Sequence, residues 1–210
     1  GIVKVRLSAE GEQAYEILKS KVDRRIDELY QLVPQYIFGE NDISVEEALG
    51  NALRKKNITI GTAESCTGGN IAHLLTSVSG SSDYFLGSIV SYSNELKANL
   101  LNVSFKDIET YGAVSETVVI QMAVGARLSL GTDYALATSG VAGPNGGTDD
   151  KPVGTVWIAI AGKEGVFAKK FLFEKDRGRN IKRASLAALS MLRRTLNGQL
   201  RLESFARSSV

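Results

Sequence analysis

The spacing of apolar residues changes period along the chain, and each change marks an element. Residues 3–7 (V-K-V-R-L) alternate apolar and charged, the pattern of a half-buried strand. Ser8 is placed to cap a helix carrying Ala14, Ile17, Leu18, Val22, Ile26 and Leu29 on one side. Pro34 ends that helix, and Tyr36, Ile37 and Phe38 read as a short strand closed by Gly39. Residues 1–40 therefore predict strand, helix, strand. That is too little chain for a robust core by itself, so it reads as a small module or the end of a larger domain. A polar linker follows at residues 40–42. Ser44 and Glu47 then form a capping box that opens a helix with Val45, Ala48, Leu49 and Leu53, ending near Asn57.

The rest of the chain is organised around residues 58–70, I-T-I-G-T-A-E-S-C-T-G-G-N. Ile58, Thr59 and Ile60 are β-branched and suit a strand packed on both faces. A tight turn crowded with Glu64, Ser65, Cys66 and Thr67 leads into a helix with Ile71, Ala72, Leu74, Leu75 and Val78. Gly68 and Gly69 carry no side chains, which predicts backbone N–H groups open to a ligand. Further on, residues 84–92 predict a second strand with Gly87 inside it, and Ser93 caps a helix with Leu96, Leu100 and Leu101. Ser104 starts a short helix, and Ser115 opens one running to about Leu130. Residues 134–138 form a buried strand. A glycine-rich loop spans 139–152, residues 153–161 and 165–173 make a hairpin, and a basic helix spans about 177–196. Residues 199–210 show no periodicity and read as a frayed tail. Strands alternating with helices, then a hairpin and a closing helix, predict an α/β three-layer sandwich with a mixed sheet.

Composition narrows the class. The chain has 210 residues, 43% hydrophobic and 23% charged, and a net charge of +2. Those values fit a globular protein and give no electrostatic case for nucleic acid or a membrane surface. No apolar run of about 18 residues could span a bilayer. Cys66 is the only cysteine, so no intramolecular disulfide forms and a cytoplasmic location is the simplest expectation. The chain begins Gly1-Ile2-Val3 and reads as a piece of a longer protein.

Candidate chemistry gathers at strand ends. Ser65 and Cys66 are the nucleophile candidates. The only histidine, His73, lies seven residues beyond Cys66, roughly 10 Å along a helix and too far to serve as its base. Cys66 then reads as a small buried hydrophobe and His73 as an ordinary helix residue. Without histidine, a partly desolvated lysine can be the base, and Lys97 is the candidate, on the first turn after S-Y-S-N (residues 91–94). In a parallel sheet the turns after Ile60 and Tyr92 share one crevice, where Tyr92 could relay a proton or orient the lysine. The loop T-S-G-V-A-G-P-N-G-G (residues 138–147) follows a buried strand, and its glycines suit a phosphate or an oxyanion. Glu64 reads either as a hydrogen-bond orienter or as a carboxylate at the helix N-terminus. Asp149 and Asp150 alone do not make a metal site. The basic run Lys175, Arg177, Arg179, Lys182 and Arg183 decorates a solvated face, with Arg177 or Arg179 placed to reach a phosphate.

Four motifs in order, T-A-E-S-C-T-G-G (62–69), S-Y-S-N-E-L-K (91–97), G-A-V-S (112–115) and T-S-G-V-A-G-P-N-G-G with P-V-G-T-V-W (138–157), resemble the CinA C-terminal domain family. The resemblance covers about residues 44–197 and divides the chain into a KH-like linker module (1–41), an amidase domain (42–198) and a tail (199–210). It implies nicotinamide-nucleotide amidase activity, converting nicotinamide mononucleotide to nicotinic acid mononucleotide and ammonia in pyridine nucleotide recycling. On that resemblance Ser65 is the nucleophile, Lys97 the base and Tyr92 a catalytic partner. Glu64, Cys66, Thr67, Gly68, Gly69, Ser115, Gly140, Gly143, Gly146 and Gly147 line the substrate. No metal or other cofactor is implied; the partners are the nucleotide and a second copy in a homodimer, with no membrane and no nucleic acid. The N-terminal domain linked in this family to ADP-ribose pyrophosphatase activity is not in this sequence. The alternative is a non-catalytic nucleotide-binding or partner-binding domain tied to competence or DNA damage. An RNA-binding role is disfavoured, since no G-x-x-G loop lies between Val3 and Gly39.

Overall fold

A computed structural model of the chain describes residues 2–204. Its contacts separate into two units, Gly1–Asp42 and Ile43–Val210. In the first unit one helix forms, α1 (Tyr15–Leu32), with Ala14 at its N-cap and no side-chain cap bond. Leu18, Val22, Ile26 and Leu29 are half-buried and no α1 residue is fully buried. The strands expected at residues 3–7 and 36–38 do not form, and Ser8 caps no helix. The reason is that a strand without a partner leaves its backbone N–H and C=O groups unpaired, so alternation alone cannot hold it. In place of the expected α+β module the described residues of this unit hold a single helix flanked by irregular chain.

The second unit begins where the capping box places it. Ser44 Oγ accepts from the backbone N–H of Glu47, starting α2 (Val45–Lys56), which ends on Asn57 in the left-handed conformation. Then follow β1 (Ile60–Glu64), α3 (Asn70–Thr76), β2 (Phe85–Val90), α4 (Asn94–Leu101), α5 (Phe105–Tyr111), α6 (Glu116–Leu130), β3 (Tyr134–Gly140), β4 (Thr155–Gly162), β5 (Gly165–Leu172) and α7 (Arg177–Leu196). Ser93, Ser104 and Ser115 cap α4, α5 and α6 through their hydroxyls, and Asp176 caps α7. Among the described residues no helix is long and apolar enough to cross a membrane.

The sheet order is β2-β1-β3-β4-β5. β1 pairs in parallel with β2 and β3, β4 pairs antiparallel with β3, and β5 pairs antiparallel with β4. This is the mixed sheet expected from the sequence, with α4, α5 and α6 packed to one side and α2, α3 and α7 to the other. All five residues of β1 are buried, as a central strand requires. The side chains facing α6 are small: Ala63, Ala135, Ala137, Ala159 and Ala161 join a cluster with Val118, Val119, Met122, Ala123 and Ala126. Strand alternation sends the larger Ile60, Leu136, Ile158 and Ile160 to the opposite face. On its other side α6 presses against α4. Register sets the site: Glu64 lies opposite both Val90 and Thr138, so β1 and β2 end level beside Thr138 of β3, which runs two residues further. The tail is partly ordered, since Glu203 exchanges two backbone hydrogen bonds with Val166 on β5. That corrects the frayed reading up to residue 204; residues 205–210 lie outside the described ones. The tail's signal was missed because one bridge needs no periodic pattern.

The α4–α6 contact supplies a stability prediction. A Cβ at Gly125 would sit 1.9 Å from the Leu101 carbonyl oxygen, whereas one at Gly178 in α7 would meet nothing closer than 3.5 Å. Gly125→Ala should cost about 2–3 kcal/mol or more, because backbone must move. Gly178→Ala should be neutral or stabilising by about 0.5–1 kcal/mol. Urea denaturation of both variants checks the contrast.

Candidate functional site at the ends of three parallel strands

The turn after β1 is held by a buried carboxylate. Glu64 is fully buried. Its Oε2 accepts from the backbone N–H groups of Gly69 and Ile71, each at 3.0 Å, and its Oε1 from Ala72 at 2.8 Å. These are orphan donors of the α3 N-terminus, so the carboxylate serves as the cap that the αL residue Gly69 lacks. Of the two roles left open by the sequence, the geometry is that of a carboxylate at the helix N-terminus. It also corrects the expectation for the glycines. The Gly69 N–H is spent on Glu64 and the Gly68 N–H on the Ser65 carbonyl, at 3.1 Å. The turn's unengaged donors are the N–H groups of Cys66 and Thr67, for which no acceptor is seated among the described residues. Gly68 is nonetheless exposed, with open space where a Cβ would point.

The turn is pinned to the ends of both neighbouring strands. Ser65 donates its backbone N–H to the Thr138 carbonyl at 3.0 Å, and Ser91 donates its own to the Glu64 carbonyl at 3.0 Å. Thr67 Oγ1 lies 2.7 Å from Thr138 Oγ1. Cys66 is buried against Thr138, and burial pushes its thiol up to about 12, so it is a protonated packing group as the sequence suggests. Thr138 therefore touches the turn three times. His73 is exposed on α3, away from this cluster.

Lys97 folds inward from the first turn of α4 and is 1% exposed. Its Nζ donates to the carbonyls of Ser91 at 3.0 Å, Tyr92 at 3.3 Å and Ser93 at 3.4 Å. Burial lowers its pKa from 10.5, opposed by the negative charge that Cys66 and Glu95 carry when ionised. Tyr92 meets the lysine through its carbonyl, not its hydroxyl, because the exposed ring turns out toward α7. There its hydroxyl accepts from Arg177 Nη2 at 3.0 Å.

The glycine-rich loop is not an open nest. Arg177 Nη1 donates to the Gly143 carbonyl at 2.9 Å. Asn180, 1% exposed, donates to the carbonyls of Ala142 at 3.0 Å and Glu174 at 2.7 Å. At the far end Lys151 Nζ donates to the Tyr111 carbonyl at 2.6 Å. A Cβ at Gly140 would strike the Thr155 carbonyl oxygen at 2.7 Å, one at Gly143 would strike Val153, and one at Gly147 would meet the Val153 nitrogen at 2.7 Å. Those three glycines let the loop fold back on its own return strand. Gly146 has a positive φ of 87° within the exposed tip. Ser115 spends its hydroxyl on the Gly112 carbonyl and the Val118 N–H as the α6 cap. Beside it Ser139 Oγ donates to the Ala113 carbonyl at 2.7 Å.

The structure therefore gathers Ser65, Cys66, Thr67, Lys97 and Thr138 at the strand ends, with Tyr92, Gly143 and Arg177 linked beside them. Asn180 was not singled out from the sequence. A poor helix former in the first turn after an Asp cap was its one signal.

Two outcomes follow. Glu64→Gln places an NH₂ where N–H groups now donate and should cost about 1–3 kcal/mol in denaturant unfolding. Wild-type stability in that variant would refute the cap. Cys66, with a thiol at about 12, should react with a disulfide reagent at pH 8 only after denaturation. One thiol titrating at the unfolded rate in the native protein would refute its burial.

Comparison with known proteins agrees with this architecture. The family described as CinA C-terminal domain matches residues 42–196. A CinA-like protein of Cytophaga hutchinsonii is 42% identical over 196 residues, which is 93% of this chain and 47% of that protein. One from Salinibacter ruber is 45% identical over 195 residues, with the same shares. The chain thus spans about half the length of these relatives. Among solved structures, a competence-damaged protein (CinA) superfamily protein from Klebsiella pneumoniae 700603 superposes with a TM-score of 0.72 at 33% identity, covering 76% of this chain and 99% of that one. The competence/damage inducible protein CihA from Agrobacterium tumefaciens gives 0.69 at 34%, again covering 76% and 99%. The chain belongs to the CinA family, and residues 42–196 are its CinA C-terminal domain.

Proposed function

We propose that this domain is a nicotinamide-nucleotide amidase, hydrolysing nicotinamide mononucleotide to nicotinic acid mononucleotide and ammonia with Ser65 as nucleophile and Lys97 as base. The observation that carries the reading is a nearly inaccessible lysine bonded to the carbonyl of Ser91, whose own N–H pairs with Glu64 at the start of the serine-bearing turn. Burial favours the neutral amine, which has two N–H donors and one lone pair. The closer carbonyls of Ser91 and Tyr92 hold the two donors, and the lone pair is left to take a proton.

In the reaction, Ser65 Oγ attacks the carboxamide carbon and Lys97 takes the hydroxyl proton. The tetrahedral oxyanion is met by the unengaged N–H groups of Cys66 and Thr67. The C–N bond breaks as Lys97 returns the proton to nitrogen, which leaves as ammonia. Water then attacks the seryl ester and gives a proton to Lys97; the ester C–O bond breaks as Lys97 returns that proton to Ser65 Oγ, and the nicotinate leaves as a carboxylate, its remaining proton passing to solvent. The exposed tip of the glycine-rich loop and Gly68 offer room for the ribose phosphate. Support for the homodimer comes from β2, an edge strand with Leu86 and Val90 exposed.

A second reading rests on the same lysine. Three carbonyls suit the three donors of an ammonium, and an ammonium held so would be a structural clamp in a nucleotide-binding domain without amidase activity. Ammonia release from nicotinamide mononucleotide separates the two. The amidase predicts activity that Ser65→Ala and Lys97→Ala each reduce by at least about 10²-fold. Since burial lowers the pKa of Lys97, its neutral fraction appears at lower pH than for a free lysine. The kcat/KM profile should therefore rise with pH through an inflection below 10.5. An inactive parent whose Tm is nonetheless raised by the nucleotide would establish the binder.

A further inference from the structure

The first turn of α7 belongs to neither the serine-bearing turn nor the lysine, yet it is bonded to both walls of the crevice. Arg177 is surface-exposed, but its guanidinium is engaged on two sides: Nη1 on the Gly143 carbonyl at 2.9 Å and Nη2 on the Tyr92 hydroxyl at 3.0 Å. One helical turn on, Asn180 is buried and ties the Ala142 carbonyl to the segment entering α7 through both the N–H and the carbonyl of Glu174. The two residues thus hold consecutive carbonyls of the loop after β3. Only Arg177 extends the connection to the turn after β2. That turn also supplies the three carbonyls around Lys97.

We propose that Arg177 is a positioning residue that latches the 141–144 segment to the β2–α4 turn through Tyr92, fixing the width of the crevice. It acts through Tyr92 and Gly143, not on the phosphate. A planar guanidinium presents two separate donor nitrogens, Nη1 and Nη2, to two acceptors on different segments, a span that a single ammonium nitrogen does not cover. Because the Tyr92 oxygen accepts from Arg177, its own O–H proton is not used in the latch. The latch accounts for an arginine at the N-terminal end of a helix, where the dipole disfavours a cation. The effect of the latch on catalysis rests on the amidase reading; its existence does not.

The test therefore has two arms on the full chain. In hydrogen–deuterium exchange, Arg177→Ala should speed exchange in peptides covering both 141–147 and 91–94, and Arg177→Lys should behave like the alanine variant. Wild-type exchange in either segment, or full protection restored by lysine, overturns the latch. In ammonia release from nicotinamide mononucleotide, Arg177→Ala and Tyr92→Phe should each lower kcat/KM by about tenfold, and the double variant no further. Multiplicative losses overturn action through Tyr92. If the parent releases no ammonia, the amidase reading fails and the exchange arm alone decides the latch.

Discussion

Everything at the crevice depends on where the Glu64 carboxylate goes. A charge with no exposure must be paired or hydrogen-bonded, and Glu64 is satisfied by three backbone N–H groups of the α3 N-terminus. That arrangement fixes the path of the chain between them. The turn must leave β1, swing out through Ser65, Cys66, Thr67 and Gly68, and return its amides to the residue it left. Gly68 and Gly69 are required for the return, since both have positive φ. The consequence for chemistry is a division of labour: the carboxylate consumes the later amides, and the earlier ones at Cys66 and Thr67 stay unengaged.

The parallel pairing carries that fixed turn into register with its neighbours. Glu64 is level with Val90 and with Thr138, so the turn after β1 lies beside the end of β2 and the last residues of β3. Thr138 then supports the serine-bearing turn with its carbonyl and its hydroxyl, while Ser91 supports Glu64 with its N–H. Lys97 closes the other side by returning its Nζ to the end of the strand it follows. The small residues of the α6 face serve the same end, since Ala63, Ala135 and Ala137 let that helix lie close beneath these strand ends.

Most of the second unit was legible in the sequence, for local reasons. Ser44, Ser93, Ser104 and Ser115 are caps whose partners lie three residues away. The β-branched run at 58–60 announced a central strand but set it too early: β1 runs from Ile60 through Gly61 to Glu64, because pairing with β2 and β3 carries it past the glycine. The expected span of about 177–196 matches α7. What failed was non-local. The alternation in residues 3–7 is real, but a strand needs a partner and the described residues of that unit supply none. The glycine-rich loop looked like an anion nest, yet Gly140, Gly143 and Gly147 are set by contacts with Val153 and Thr155, which the loop reaches only after folding back. Asn180 was invisible as a site residue for the same reason, and Arg177, read as placed to reach a phosphate, was not seen as a tie between two loops. Their acceptors, Ala142, Gly143 and Tyr92, are 34 to 85 positions away.

The carbonyl cage ties Lys97 to the turn after β2. Ser91, Tyr92 and Ser93 accept from its Nζ at 3.0, 3.3 and 3.4 Å, so the position of the amine follows the path of that turn. Tyr92 takes part twice: its carbonyl accepts from Lys97 and its hydroxyl from Arg177. A restraint on the Tyr92 ring therefore acts on a residue that itself holds the lysine, and through the Gly143 carbonyl the same guanidinium reaches the loop after β3.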